Sequence, residues 1–229
     1  MPKVSIIMSV YNGEKFLKES IDSILGQTFK DFEFIIIDDG SKDSSKSIIE
    51  SYSDPRINLI SRENKGLTPS LNEGLKLARG KYIARMDADD VATPWRLEKQ
   101  VEFLDSNPEI GLCGSWAIII NEEGEKIGEY KLPTTKKRLK RVMFWHNPFI
   151  HPSIMFRKEI IQLVGFYNEK IKYAQDYEYW SRIIRIFPGA NLPEFLMKYR
   201  IVKKSMTRKS NLPMRWEGVK IRMKYLFNL

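Results

Sequence analysis

Four short β-branched runs alternate with segments of helical period over the first 90 residues, and this alternation restricts the chain more than any other feature. Val4 to Val10 (Val-Ser-Ile-Ile-Met-Ser-Val), Phe32 to Ile37, Ile57 to Ile60 and Lys81 to Met86 read as strands of a sheet covered on both faces. Between them, Phe16, Leu17, Ser20, Ile21, Ile24 and Leu25 share one helical face. Ser44 to Tyr52 turns Ile48, Ile49 and Tyr52 inward, and Leu67 to Ala78 carries Leu71, Leu75 and Ala78 at helical spacing before Gly80. Strands alternating with helices imply an α/β fold with a mainly parallel sheet and helices on both faces.

Open parallel sheets bind ligands beyond the carboxyl ends of their strands. The residues expected there are Ser9, Tyr11 and Asn12 after the first strand, Asp38 and Asp39 after the second, and Asp87, Ala88, Asp89 and Asp90 after the fourth. In an extended chain Asp87 and Asp89 project the same way, and paired like charges call for a cation or a hydrogen-bond network. Mg²⁺ or Mn²⁺ held by one or two carboxylates and the oxygens of a substrate phosphate is one reading. Capping of a helix that starts near Pro94 is the other. The first turn lacks Gly-x-Gly-x-x-Gly and no Gly-x-x-x-x-Gly-Lys-Ser/Thr loop is present, which disfavours a dinucleotide enzyme.

The second half changes character. A helix with Trp95, Leu97, Val101 and Leu104 precedes a strand from Ile110 to Ile120, which returns through a turn at Asn121 to Gly124 into Ile127 to Tyr130. Lys136 to Phe144 reads as a basic helix with Leu139, Val142 and Met143 inward. The loop Trp145 to Pro152 is rich in aromatic and histidine residues, and a strand follows from Ser153 to Phe156. Trp145 and His151 are candidate sugar contacts, or His151 satisfies a buried hydrogen bond. Ala174-Gln175-Asp176 precedes a helix with Trp180, Ile183, Ile184 and Phe187 on one face. Asp176 reads as its N-cap or as a reactive carboxylate, with Glu178 as the alternative.

Charge is uneven in this chain of net charge +9. Leu196 to Leu229 holds ten Lys and Arg against the single acid Glu217, while the rest balances 28 bases with 28 acids. A basic tail on a neutral body suggests an acidic partner, either nucleic acid or anionic lipid. With Met214 to Phe227 helical, Trp216, Val219, Met223, Leu226 and Phe227 form one stripe flanked by Arg215, Lys220, Arg222 and Lys224. That layout suits an interfacial helix on an anionic membrane; the alternative is that the stripe packs on the body. Nucleic acid fits less well, because the aromatics lie on the apolar stripe and no recognised binding motif is present. No apolar run approaches the ~20 residues of a membrane span, no signal-peptide layout is present, and the single Cys113 lies in an apolar stretch as a core residue. These features lead us to expect a cytoplasmic protein, peripheral at the inner face of the cytoplasmic membrane if the tail binds lipid. Nothing in the sequence fixes an oligomeric state.

The chain resembles the family 2 glycosyltransferases, which have the nucleotide-sugar-binding GT-A fold. The resemblance runs from about Pro2 to about Thr207. It rests on Val4 to Asn12, Ile37-Asp38-Asp39-Gly40-Ser41, the Asp-x-Asp motif Asp87-Ala88-Asp89-Asp90, His151, Gln175-Asp176 and Tyr199-Arg200. It implies a domain over 1–205, with a nucleotide-sugar-binding half over 1–110 and an acceptor-side half over 111–205, followed by a tail over 206–229. It implies that Ser9 and Tyr11 line the nucleoside pocket, that Asp39 accepts from the base and that Asp38 supports that loop. Asp87 and Ala88 would face the ribose and phosphate, Asp89 would ligate Mn²⁺ or Mg²⁺, Asp176 would be the general base, and Gln175 would lie beside the sugar or acceptor.

The activity implied is inverting transfer of one sugar from a nucleoside-diphosphate sugar, uridine-linked by resemblance, to a hydroxyl of a glycan or lipid-linked acceptor. Two departures stand out. Leu71 occupies a position where many relatives have Arg, and Val202 one where many have a His that completes the metal shell. No Gln-x-x-Arg-Trp motif follows Asp176, so single transfer is expected rather than polymerisation. The competing classes are a nucleotidyltransferase, which would need a Gly-rich basic loop within Ser9 to Lys15, and a non-catalytic sugar-nucleotide sensor.

Overall fold

The computed structural model describes residues 1–202 and 211–227, the side chains of the latter stretch from Trp216 to Lys224. The four expected strands form: β1 (Val4–Val10), β2 (Phe32–Asp38), β3 (Ile57–Ser61) and β4 (Tyr82–Asp87), separated by helices α1 (Glu14–Leu25), α2 (Ser45–Glu50) and α3 (Leu67–Leu77). They pair in parallel in the order β3-β2-β1-β4. Because side chains alternate along a strand, Ile6, Met8, Phe34, Ile36, Ala84 and Met86 build one core, with Leu17, Ile21 and Ile24 of α1. Ile7, Ile35, Ile37 and Ile83 build the other, with Leu71 and Leu75 of α3. The backbone of Gly74 in α3 lies so close to β1 that a Cβ there would stand 2.5 Å from Ile7 Cγ2.

Beyond β4 come β5 (Val91–Ala92), α4 (Arg96–Ser106), β6 (Leu112–Ile120), β7 (Lys126–Tyr130) and α5 (Lys136–Met143). A 3₁₀ turn (His151–Ser153) leads into β8 (Met155–Arg157), followed by α6 (Ile160–Val164), α7 (Gln175–Ile186) and β9 (Gly189–Arg200). The sheet continues past β4 as β8-β6-β9-β5, with β7 paired to β6, so nine strands join one sheet among the described residues. β4 and β6 run antiparallel to β8, and β6 parallel to β9.

Four sequence expectations change. The strand expected from Ser153 begins two residues later, because Pro152 and Ser153 sit in the 3₁₀ turn. β9 was not anticipated: Pro193 lacks the amide donor of a regular ladder, and it is accommodated where the β6–β9 register shifts between Ser115 and Trp116. At α4 the inward residue is Arg96, fully buried and donating from Nη2 to the Arg85 carbonyl at 2.8 Å, while Trp95 is 46% exposed. Finally, β4 ends at Asp87, so Asp89 lies on a turn and the period-two alternation does not reach it.

The tail contains helix α8 (Asn211–Phe227), which packs on α7 through Ile221. Trp216, Val219 and Met223 face outward. The expected contributions of Met214, Arg215, Leu226 and Phe227 lie outside the described side chains.

Candidate active site

Register brings the first three strand exits together. Ser9 stands opposite both Ile37 and Asp87, and Val10 opposite Asp38, so β1, β2 and β4 end side by side at their carboxyl edge. Tyr11 is exposed just past β1. Asp38 is buried: Oδ1 accepts from Ser41 N–H at 3.1 Å and Oδ2 from the Ser61 hydroxyl at 2.8 Å. Asp39, 2% exposed, accepts from Lys65 and Gly66 N–H at 2.9 and 2.8 Å and pairs with Arg62. Its carboxylate thus organises the loop that enters α3. Gly40 makes this exit possible, since it has φ +74° and a Cβ there would lie 2.7 Å from Asn64 N.

The β4 exit is held from two sides. The Ser20 hydroxyl of α1 lies 2.7 Å from the carbonyl oxygens of both Asp87 and Asp90. From the end of β9, Arg200 Nε donates to the Asp89 carbonyl at 2.8 Å and its backbone N–H to Asp90 Oδ1 at 2.7 Å, while its guanidinium also pairs with Glu19. Asp90 is buried and its Oδ2 has no hydrogen-bond partner among the described residues. Burial, then the Asp87 charge, pushes the Asp89 carboxyl up to about 6. Asp87 itself pairs with Arg85, whose guanidinium is buried with Nε and Nη1 unpartnered.

Asp176 joins this group from α7. It lies in the first turn of the helix and is not its cap, since the N-cap is Ala174, two residues earlier. Its Oδ2 accepts from Asn147 Nδ2 at 2.7 Å and its Oδ1 from Tyr177 N–H at 2.7 Å. Burial, with a smaller contribution from Asp87, raises its carboxyl to about 6. Glu178, the alternative carboxylate, is spent on Arg182 at 2.8 Å and is buried. Gln175 is buried with Oε1 unpartnered. His151 Nε2 lies 3.2 Å from the Tyr167 hydroxyl and its ring meets Trp180 edge-on, while burial and the Arg85 charge hold its pKa well below 6.5. His151 is therefore a satisfied neutral imidazole. Trp145 is 70% exposed.

Tyr199 reports the convergence. Burial, then the charges of Asp90, Asp87, Asp89 and Asp176, raises its phenol above the ordinary range. The roles of Tyr199, Arg200, Asn147 and Arg85 were not readable from the sequence. Tyr199-Arg200 was visible as a motif piece, Asn147 only as a member of an aromatic loop.

Among the described residues no three His, Cys, Asp or Glu side chains form a metal cage. Asp89 nevertheless offers a carboxylate oxygen of the kind a hard divalent cation takes when substrate oxygens complete its shell, and like charge from Asp87 acts on it. A cavity of about 820 Å³ opens at the other edge of the sheet, lined by Lys3, Lys81 and Lys158, remote from these carboxylates.

Residues 5–165 match glycosyl transferase family 2. The chain is 43% identical over 207 residues to an uncharacterized glycosyltransferase of Methanocaldococcus jannaschii, covering 87% of this chain and 71% of that one. It is 38% identical over 216 residues to the O-antigen biosynthesis glycosyltransferase WbnJ of Escherichia coli, covering 91% and 83%. Among solved structures, S. aureus TarS in complex with UDP-GlcNAc superposes with TM-score 0.78 at 19% identity, over 99% of this chain and 67% of that one. The mannosyltransferase PcManGT from Pyrobaculum calidifontis, in complex with GDP-Man and Mn²⁺, superposes with TM-score 0.75 at 18% identity, over 100% and 65%. The sheet order, the nucleotide-sugar-binding neighbours and the family match agree: the fold is GT-A, and the chain belongs to the family 2 glycosyltransferases.

Proposed function

We propose that the chain transfers a single sugar, with inversion, from a uridine-diphosphate sugar to a hydroxyl of a glycan or lipid-linked acceptor. The observation that supports this most is the alignment of the β1, β2 and β4 exits, which brings Ser9, Asp38 and Asp87 to one edge of the sheet, with Asp87 paired to Arg85. Ser9, Tyr11, Asp38 and Asp39 at the neighbouring exits are assigned to the nucleoside, Asp87 and Ala88 to the ribose and phosphates, and Trp145, His151 and Gln175 to the acceptor side.

Asp176 removes the proton of the acceptor hydroxyl as that oxygen bonds the anomeric carbon and the bond from that carbon to the diphosphate breaks. A carboxyl raised to about 6 is a stronger base than an ordinary aspartate, yet is still about nine-tenths ionised at pH 7. Asn147 holds Oδ2 in place, and Arg85 pairs with Asp87 at the exit of β4. A divalent cation bound at Asp89 would supply positive charge to offset the negative charge growing on the departing diphosphate.

The tail is assigned to an anionic membrane surface. Trp216, Val219 and Met223 are exposed along one side of α8 with the exposed Lys220 and Lys224 beside them, the layout of an interfacial helix. No helix among the described residues is long and apolar enough to cross a membrane. Co-sedimentation with anionic vesicles but not neutral ones is expected; equal binding to both, or none, refutes this assignment.

The transfer reading is tested by incubating the chain and Mn²⁺ with a panel of UDP- and GDP-sugars and measuring release of nucleoside diphosphate. Release from a UDP-sugar, lost in chelator, is expected. Binding without release at any donor refutes an enzyme of this kind, and release only from GDP-sugars refutes the uridine assignment.

A further inference from the structure

One helix touches both loops that hold Asp176. From α8, Glu217 accepts three consecutive backbone N–H groups of the turn before α7: Oε1 from Lys172 at 3.2 Å, and Oε2 from Tyr173 and Ala174 at 2.9 and 3.0 Å. Ala174 is the N-cap of α7 and lies two residues before Asp176. On the other side, Arg222 Nη1 donates to the Trp145 carbonyl at 2.8 Å, two residues before Asn147, whose amide is bonded to Asp176. Between them Ile221 is buried in the core shared with α7, and Arg185 of α7 donates to the Lys224 carbonyl.

Glu217 is the only acid among ten cations in Leu196 to Leu229, and it is directed to backbone amides rather than to a neighbouring base. A carboxylate is the acceptor that can take several N–H donors at once, and these amides, at the entry of a helix, favour negative charge. With that acceptor removed, three adjacent donors must find water, and the turn that sets the entry of α7 loosens.

We propose that α8 is a clamp on the general base, with Glu217 and Arg222 as positioning residues that fix the two loops converging on Asp176. The inference rests on Asp176 being the base. It predicts that the tail governs the chemical step and leaves donor binding alone, because the nucleotide loops are built from the exits of β1, β2 and β4, which α8 does not join.

The test compares Glu217→Ala, Glu217→Gln and Asp176→Asn in the full chain, with the sugar nucleotide that the unaltered chain hydrolyses fastest and water as acceptor. Misplacing a reacting group by about 1 Å costs on the order of 100-fold in rate. Glu217→Ala is therefore expected to lower kcat by roughly 10- to 100-fold with KM for the donor within about twofold. Glu217→Gln, whose amide oxygen still accepts from Tyr173 and Ala174, is expected to recover most of that loss. In Glu217→Ala the kcat–pH inflection is expected to fall, since a loosened turn lets water reach a carboxyl that burial raises. Unchanged kcat in Glu217→Ala overturns the clamp, and so does a loss of kcat accompanied by an equal rise in donor KM and an unmoved inflection. Active Asp176→Asn refutes the base itself, whereas inactive Asp176→Asn beside normal Glu217→Ala refutes only the clamp.

Discussion

Asn147 donates its side-chain amide to Oδ2 of Asp176 at 2.7 Å, across 29 residues of sequence. The bond joins the aromatic loop after α5 to the first turn of α7 and, with the Tyr177 N–H on Oδ1, fixes the orientation of the carboxylate. Replacing Asn147 with Ala removes a donor that favours the ionised form, so the inflection of kcat against pH is expected to rise and kcat at neutral pH to fall by about 10-fold. Asn147→Asp adds a second negative charge and is expected to move the inflection further up. A profile unchanged in both variants would show that this contact does not govern the base.

The pH dependence of the unaltered chain follows from the same carboxyl. Asp176 is raised to about 6, chiefly by burial, with Asp87 raising it and Arg85 lowering it. Nearby Tyr167 is held neutral, His151 is neutral, and Glu178 is paired with Arg182. Turnover should thus rise with pH through about 6 and level off above it. Because the folded pKa exceeds the unfolded one, the folded state binds the proton more tightly. This carboxyl therefore lowers stability progressively between pH ~4 and ~6 and by a constant amount above that. Asp176→Asn should then be more stable at pH 7 by roughly 1–3 kcal/mol, read from denaturant unfolding. An unchanged or lowered stability would contradict the burial of this charge.

Arg200 ties the turn that carries Asp89 to β9 and to α1, with Nε on the Asp89 carbonyl and the guanidinium on Glu19. Lysine cannot reproduce a planar fork. Arg200→Lys is expected to cost about 2–4 kcal/mol of stability and to weaken metal-dependent binding of nucleoside diphosphate. Calorimetry with UDP and Mn²⁺ reads the second effect; unaltered affinity would detach Arg200 from the Asp89 turn.

Asp89 is the assigned metal ligand. In Asp89→Ala the thermal stabilisation given by UDP with Mn²⁺ is expected to fall to that given by UDP alone, whereas the unaltered chain should show a larger shift with the metal present. Equal shifts with and without Mn²⁺ in the unaltered chain would remove the metal from the account.

Much of the first half was legible in the sequence because each strand is short, buried and locally patterned: Ile6 and Ile7 fall on opposite faces, and the exits at Asp38 and Asp87 follow from where the apolar runs stop. The second half was less so. Gly189–Arg200 conceals a twelve-residue strand behind Pro193 and a register shift. Trp95 reads as one of the apolar residues of its helix, yet Arg96 is the buried one, its guanidinium donating to the carbonyl of Arg85. Asp176 stands out by resemblance to a motif, whereas the contacts of Asn147 and Glu217 join segments far apart in the chain and no local pattern encodes them. Asp87 and Asp89 are expected to point the same way from an extended chain; β4 ends at Asp87, so Asp89 lies on a turn and that alternation does not apply to it.

The measurement closest to the central claim is the transfer rate of Asp176→Asn set beside its affinity for UDP with Mn²⁺. Asparagine keeps the size of the side chain and loses the charge that takes the proton. The account predicts a fall in kcat of ~10²–10⁴-fold with nucleotide affinity unchanged. Near-normal transfer by that variant would contradict it.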